Sequence, residues 1–251
     1  MENHTFDQVI GNREAPYETA VAAQCGTASD YAIVGNPSLP NYIGSTSGDI
    51  QAVHDDAPPS SHPIDTDNLF RQVRAAGGTE KSYEESMRAN CVLETQDMYA
   101  VKHNPAAYYI GRDDRPACLS NNVPLGSLEN GPLRHDLDSN TLPTFSFVTP
   151  NLCNDTHDCG VSSGDKWLQQ WVPMILGSST YRAGGTAVFV VWDEPTPMPF
   201  IVISPTTPPG TKVTDRIDHY ALLRTTETML GIPNFLGRAA SAPDLGPAFG
   251  L

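Results

Sequence analysis

Basic residues are scarce in this sequence. Fifteen lysines and arginines stand against 29 aspartates and glutamates, for a formal net charge of −14 and an isoelectric point near 4.7. A chain that grips a nucleic-acid backbone needs a basic face, and this balance excludes a general one. No stretch approaches the roughly 18 consecutive apolar residues of a membrane-spanning helix. No internal repeat, low-complexity tract or CxxC pair occurs. Met1 is followed at once by Glu2 and Asn3, without the basic and apolar regions of a signal peptide. An anionic substrate would therefore have to be held by local positive charge, most simply a metal.

What is present points to one well-packed domain. The 251 residues are 39% hydrophobic, enough for a sizeable core, and 42 of them are glycine or proline, so loops take a large share. Five cysteines leave one unpaired within the chain. Cys153 and Cys159 are close enough to close a short loop, and Cys91 with Cys118 could close a second, leaving Cys25. Disulfides are favoured over a cysteine metal site, which leans towards an oxidising, extracellular compartment.

Continuous apolar runs at Thr186–Trp192, Phe200–Pro205 and Thr144–Pro150, with a weaker one at Tyr31–Val34, predict strands buried on both faces. Amphipathic patterns predict helices over Asp67–Ala76, Asp165–Leu176 and Tyr220–Leu230. Their alternation predicts an α/β domain with a mostly parallel central sheet flanked by helices. Residues from about 79 to 140 read as a loop-rich insertion.

Polar clusters follow the predicted strands, where open α/β sheets place their sites. Asp193-Glu194 follows one strand; Asn151, Asn154, Asp155, His157 and Asp158 follow another; Asp218-His219 opens a helix. Carboxylates and imidazoles converging from several strand ends describe a divalent-metal site for Zn, Mn, Mg or Ca. For any one cluster, the plain alternative is helix and turn capping. Gly44-Ser45-Thr46-Ser47-Gly48 reads as a nucleophile-bearing hydroxyl loop or as a flexible turn.

Glu2-Asn3-His4-Thr5-Phe6-Asp7 matches an ENxxFD motif, followed in order by Pro37-Ser38-Leu39-Pro40-Asn41-Tyr42, Pro150-Asn151 through His157-Asp158, Gly164–Leu168, Trp192-Asp193-Glu194 and Asp218–Thr225. Together they resemble the bacterial phosphoesterase family of acid phosphatases and phospholipases C, within the alkaline phosphatase superfamily. The resemblance spans nearly the whole of residues 1–251 as a single domain with an alkaline-phosphatase-like fold. It implies a metal-dependent hydrolase of phosphate esters acting through a covalent phospho-enzyme, with a phospholipid headgroup among the candidate substrates. It also implies secretion or a cell-envelope location, against a cytoplasmic one if Met1 is the genuine start. By resemblance, Glu2, Asn3, Asp193, Glu194 and His219 hold a divalent metal, and Asn41, Asp155, His157 and Asp158 contact substrate or a second ion. The nucleophile is expected at Thr46 or Ser47, while gapless pairing from Asn41 puts Asp49 in its place. Two further departures are the lack of an apolar strand before Glu2 and of a histidine between Glu194 and Phe200. The alternative is a catalytically degenerate or repurposed protein on the same scaffold.

Overall fold

A computed structural model describes all 251 residues. Its strands are β1 (Gly26–Ala32), β2 (Glu80–Glu84), β3 (Asn122–Pro124), β4 (Phe145–Thr149), β5 (Val188–Val191), β6 (Met198–Ile203), β7 (Thr211–Val213) and β8 (Ile217–Asp218). Its helices are α1 (Phe6–Val9), α2 (Pro16–Gln24), α3 (Ser38–Ser47), α4 (Leu69–Ala75), α5 (Asp114–Asn121), α6 (Pro132–Asp138), α7 (Val161–Leu176), α8 (Ser179–Arg182), α9 (His219–Met229) and α10 (Gly246–Phe249). None is long and apolar enough to cross a membrane.

The class is α/β, but the single mostly parallel sheet gives way to two smaller ones. A five-stranded mixed sheet runs β5-β6-β1-β7 with β8 also on β1, and a three-stranded sheet runs β3-β2-β4. The apolar runs that suggested parallel neighbours, β5 and β6, pair antiparallel, from Val188 with Ile203 to Val191 with Phe200. The reason is chain length. Only residues 192–197 join them, too few for the dozen or more that a parallel crossover needs. Strand β6 then pairs antiparallel with β1, while β7 and β8 lie parallel to β1. All pairs in the smaller sheet are parallel.

The largest core cluster joins the five-stranded sheet to α7: Trp167, Leu168, Trp171 and Val172 belong to the same buried set as Trp192, Phe200 and Val202. Each such side chain contributes about 2 kcal/mol on leaving water. A second cluster takes Leu39 and Ile43 of α3 with Phe70, Tyr99 and Tyr108. Caps fix the helix starts: Asn68 accepts the Arg71 N–H at 3.0 Å, and Asp218 accepts those of Tyr220 and Ala221 at 2.9 and 3.1 Å. Both cystine pairs close, Cys91–Cys118 and Cys153–Cys159, with Cys25 free. Cys153–Cys159 brackets the loop after β4.

Segment 44–48 is neither a loop nor an elbow. It is the last turn of α3, ended by Gly48 at φ 74°. A side chain at Gly48 would strike the Leu236 carbonyl 2.2 Å away, so only glycine fits this left-handed cap.

Candidate active site

The site is built around Glu2, whose backbone is tied to two parts of the fold. The Met1 amino group donates to the Val191 carbonyl (2.9 Å) and the Asp193 N–H donates to the Met1 carbonyl (3.1 Å). On the other side, the Glu2 N–H donates to the Asp155 carbonyl (2.7 Å), and Thr156 Oγ1 donates to the Glu2 carbonyl (2.7 Å). Glu2 is thereby fixed between the end of β5 and the loop after β4, fully buried.

Its carboxylate meets two elements. Helix α3 supplies Tyr42, whose hydroxyl donates to Oε1 at 2.6 Å, and Ser38, whose hydroxyl donates to Oε2 at 3.3 Å. The short turn Val101–His103 supplies His103, with Nε2 3.2 Å from Glu2 Oε1 and Nδ1 3.1 Å from Asp155 Oδ2. Glu2, His103 and His157 each offer a ligand atom within 4.8 Å of the others. Asp193, also buried, has both carboxylate oxygens without a hydrogen-bond donor. Glu2 and Ser38 are polar neighbours of that carboxylate. His103 Nε2 and Asp155 Oδ2 likewise lack a well-aligned partner.

Burial is the main reason the Glu2 carboxyl titrates well above the usual range, and the Asp193 charge raises it further. Asp193 is pushed up to about 7, again mostly by burial. Buried carboxylates that repel one another, with lone pairs unclaimed by donors, fit a divalent cation. The nitrogen and oxygen donors suit such an ion, and Glu2, His103 and His157 could coordinate it.

The other expected ligands lie in different circumstances. Asn3 neighbours Glu2 in a left-handed conformation, φ 57°. Glu194 is half-buried and accepts the Asn36 amide at 3.3 Å. His219 Nε2 faces the Asp193 carbonyl at 3.2 Å, so it carries the proton, and Nδ1 accepts the Tyr31 hydroxyl at 2.8 Å. No lone pair is left for an ion, and burial pushes its pKa down to about 4, keeping the ring neutral. His219 supports the Asp193 backbone instead of binding metal directly.

Asn41 is committed as well: Oδ1 accepts the N–H groups of Val34 and Gly35, and Nδ2 donates to the Pro37 carbonyl. It shapes the turn into α3. Asp155 Oδ1 accepts the His157 N–H at 2.8 Å, and Asp158 Oδ1 lies 2.6 Å from His157 Nδ1.

The expected nucleophiles are not at this cluster. Thr46 Oγ1 bonds the Tyr42 carbonyl and lies 2.7 Å from the Tyr109 hydroxyl, and Ser47 Oγ donates to the carbonyls of Ile43 and Asp49. Both are buried at the far end of α3, about 12 Å along the axis from Ser38 at 1.5 Å per residue. Asp49 faces Arg238 at the surface, 3.6 Å away. The hydroxyl beside the carboxylates is Ser38. Its motif, Pro37-Ser38-Leu39-Pro40-Asn41-Tyr42, is visible in the sequence, but nothing local distinguishes its serine from those of the 44–48 segment. His103 carried no local signal beyond being one of seven histidines.

Over 99% of its length the chain is 28% identical to the phosphatidylinositol-3-phosphatase of Mycobacterium tuberculosis, covering 80% of that protein. It is 27% identical to a probable acid phosphatase of Kluyveromyces lactis, covering 95% of this chain and 58% of that one. An acid phosphatase of Aspergillus fumigatus is 26% identical over 77% of the chain and 43% of its own length. Among solved structures, that of Ps i-CgsB superposes with a TM-score of 0.61 over 95% of this chain and 72% of that one. At 12% identity, that likeness speaks to the fold alone. The Phosphoesterase family model matches residues 12–198, a span that holds Ser38, His103, Asp155, His157 and Asp193, and the chain belongs to that family.

Proposed function

We propose that this protein is a metal-assisted phosphomonoesterase in which Ser38 is the nucleophile. The observation that carries this reading is the Ser38 hydroxyl, 3.3 Å from Glu2 Oε2 at the first residue of a ten-residue helix, beside the unpartnered Asp193 carboxylate. The relatives are named as phosphatases, which supports a monoester substrate. A phosphoinositide headgroup is one such ester, as the mycobacterial relative's name suggests. The family and the α/β architecture support an alkaline-phosphatase-like arrangement, and the two disulfides support residence in an oxidising compartment outside the cytoplasm.

A divalent ion held by Glu2, Asp193, His103 and His157 would supply positive charge to a serine alkoxide and to the phosphoryl oxygens. The chain's own residues do the rest. Tyr42 and the backbone ties of Glu2 hold that carboxylate against Ser38, where it can take the hydroxyl proton. Ser38 Oγ forms a bond to phosphorus as the ester oxygen leaves with the alcohol. Water then attacks the phosphoserine, releasing phosphate and restoring the hydroxyl. Ser38 stands at the N-terminal end of α3, where the helix dipole favours negative charge.

The test is hydrolysis of p-nitrophenyl phosphate, with added Zn, Mn, Mg or Ca. Ser38→Ala should lower kcat by at least about 1,000-fold, as expected for removing a covalent nucleophile. A Ser38→Ala variant within tenfold of the parent would overturn the assignment. A metal-loaded parent that turns over no phosphate ester would favour the degenerate-scaffold reading.

A further inference from the structure

Six carboxylates lie in or beside the site: Glu2, Asp56, Asp155, Asp158, Asp193 and Glu194. Only one lysine or arginine side chain pairs with any of them, Lys102 with Asp56 at 2.9 Å. Such a pocket repels a phosphate dianion unless positive charge is fixed where the dianion sits.

Lys102 immediately precedes His103, and its side chain is four-fifths buried, 19% exposed. Its ammonium donates to Asp56 Oδ2 and lies 3.3 Å from His157 Nε2. Nδ1 of His157 donates to Asp158, so its Nε2 lone pair is the one a bound ion would take, and the Lys102 ammonium keeps Asp56 as its fixed partner. Asp56 faces the other way too: its Oδ1 accepts the Leu39 N–H at 3.0 Å, one residue beyond Ser38. The result is a continuous path from Leu39, the residue after Ser38, through Asp56 to the Lys102 ammonium. One of its three protons faces Asp56, and the others remain to donate.

We propose that Lys102 binds a nonbridging oxygen of the substrate phosphate, with Asp56 holding it in register with Ser38, so that the site selects phosphate monoester dianions over diesters. This rests on the phosphomonoesterase reading for its substrate but not for its binding test. A fixed cation attracts a dianion about twice as strongly as a monoanion at the same distance, which is the origin of the selection.

The experiment compares the parent with Lys102→Met, Lys102→Arg and Asp56→Asn. It measures kcat and KM on p-nitrophenyl phosphate and on bis(p-nitrophenyl) phosphate, and inorganic phosphate binding by calorimetry. Thermal melts check that each variant is folded. Lys102→Met should lose about 100-fold in kcat/KM on the monoester, less than about tenfold on the diester, and at least about tenfold in phosphate affinity. Lys102→Arg should recover most of the monoester rate, and Asp56→Asn should fall between. Equal losses on both esters, or unchanged phosphate affinity in folded Lys102→Met, overturn the proposal. If the parent hydrolyses neither ester yet binds phosphate through Lys102, the hydrolase reading fails and the Lys102 site stands. If the parent neither hydrolyses nor binds phosphate, both fail.

Discussion

Glu18 provides a sharp test of how this fold handles charge. It sits in α2, only 1% exposed, and neither carboxylate oxygen has a hydrogen-bond partner. Its own N–H donates to Asp165 Oδ1 at 2.8 Å, which brings a second carboxylate close. Burial first, then the Asp165 charge, pushes its pKa from 4.5 to about 8. A carboxyl raised in the folded state favours folding below the unfolded value and loses that advantage as pH rises. The loss starts near pH 4.5, because the unfolded chain releases its proton there, and is complete once pH passes 8. At about 1.4 kcal/mol per pH unit, the cost reaches about 3 kcal/mol at pH 7 and about 5 kcal/mol above pH 8.5. These are ceilings, since local relaxation and water entry soften a buried charge. Glu18→Gln keeps the shape and removes the titration, so its stability relative to the parent should rise between pH 5 and pH 8.5, by at least about 2 kcal/mol. Urea unfolding at both pH values, with the slope compared to confirm two-state behaviour, reads the difference directly. A Glu18→Gln effect of the same size at both pH values would refute the reasoning.

Other predictions probe the site and the staples. Thr46→Val should leave kcat on p-nitrophenyl phosphate within about threefold of the parent while costing about 1 to 2 kcal/mol of stability, because its hydroxyl serves Tyr42 and Tyr109 within the core; a loss of several orders of magnitude in kcat would return the nucleophile to that turn. Asp193→Asn should reduce divalent metal in the purified protein to under about a tenth of the parent's, measured by elemental analysis, since it removes charge from a buried donor set. Full stoichiometry in that variant would remove Asp193 from the ligand set. Replacing the Cys91–Cys118 pair by alanines should destabilise more than replacing Cys153–Cys159. Loop separations of 27 and 6 residues give chain-entropy terms of roughly 3.5 and 2 kcal/mol, and chemical denaturation of both double variants would show a reversed order if the loops are already restrained when unfolded.

The elements legible in the sequence were those whose own side chains make the core. Helices α4, α7 and α9 and strands β4, β5 and β6 lie within a few residues of their predicted positions, because apolar period and flanking breakers agree there. Strand β2 was not legible: Glu80-Lys81-Ser82-Tyr83-Glu84 has Tyr83 as its one large apolar side chain, yet it is the middle strand of its sheet. Arg74 of α4 pairs with Glu80, and Asp136 of α6 accepts from both Lys81 and Tyr83, while Glu84 is buried with Oε1 unpartnered. No local pattern encodes such partners. Helix α3 misled for a similar reason. Its Pro40, Gly44 and run Ser45-Thr46-Ser47 are weak helix formers, and it holds through buried Leu39 and Ile43 and through hydroxyls bonded back to carbonyls one turn earlier. Read as a helix, the segment puts Thr46 and Ser47 about two turns away from Ser38, the residue that meets the Glu2 carboxylate. The antiparallel pairing of β5 and β6, by contrast, is encoded in the short connection between them, although continuous apolar character alone points to parallel neighbours.

The site draws on residues 2, 38, 103, 155, 157 and 193, and this scatter follows from how Glu2 is held. A carboxylate buried this completely stays in place only if its backbone is anchored, because its side chain gains little by entering a low-dielectric interior alone. The anchors are main-chain bonds to the residues around the end of β5 and to the loop after β4, and each anchor delivers a functional group beside it. Asp193 follows Val191 by two positions, and Asp155 is itself the acceptor of the Glu2 N–H. The Cys153–Cys159 bridge restrains the second of these loops, and with it Asp155 and His157. Helix α3 approaches from a third direction and places Ser38 and Tyr42, one helical turn apart, on the two oxygens of the same carboxylate. His103 arrives on a short turn whose buried neighbours fix it between Glu2 and Asp155. The bonds that fix the backbone of Glu2 therefore also converge the chemistry, which is why clusters at strand ends could be recognised one by one in the sequence while the serine and histidine that complete them could not.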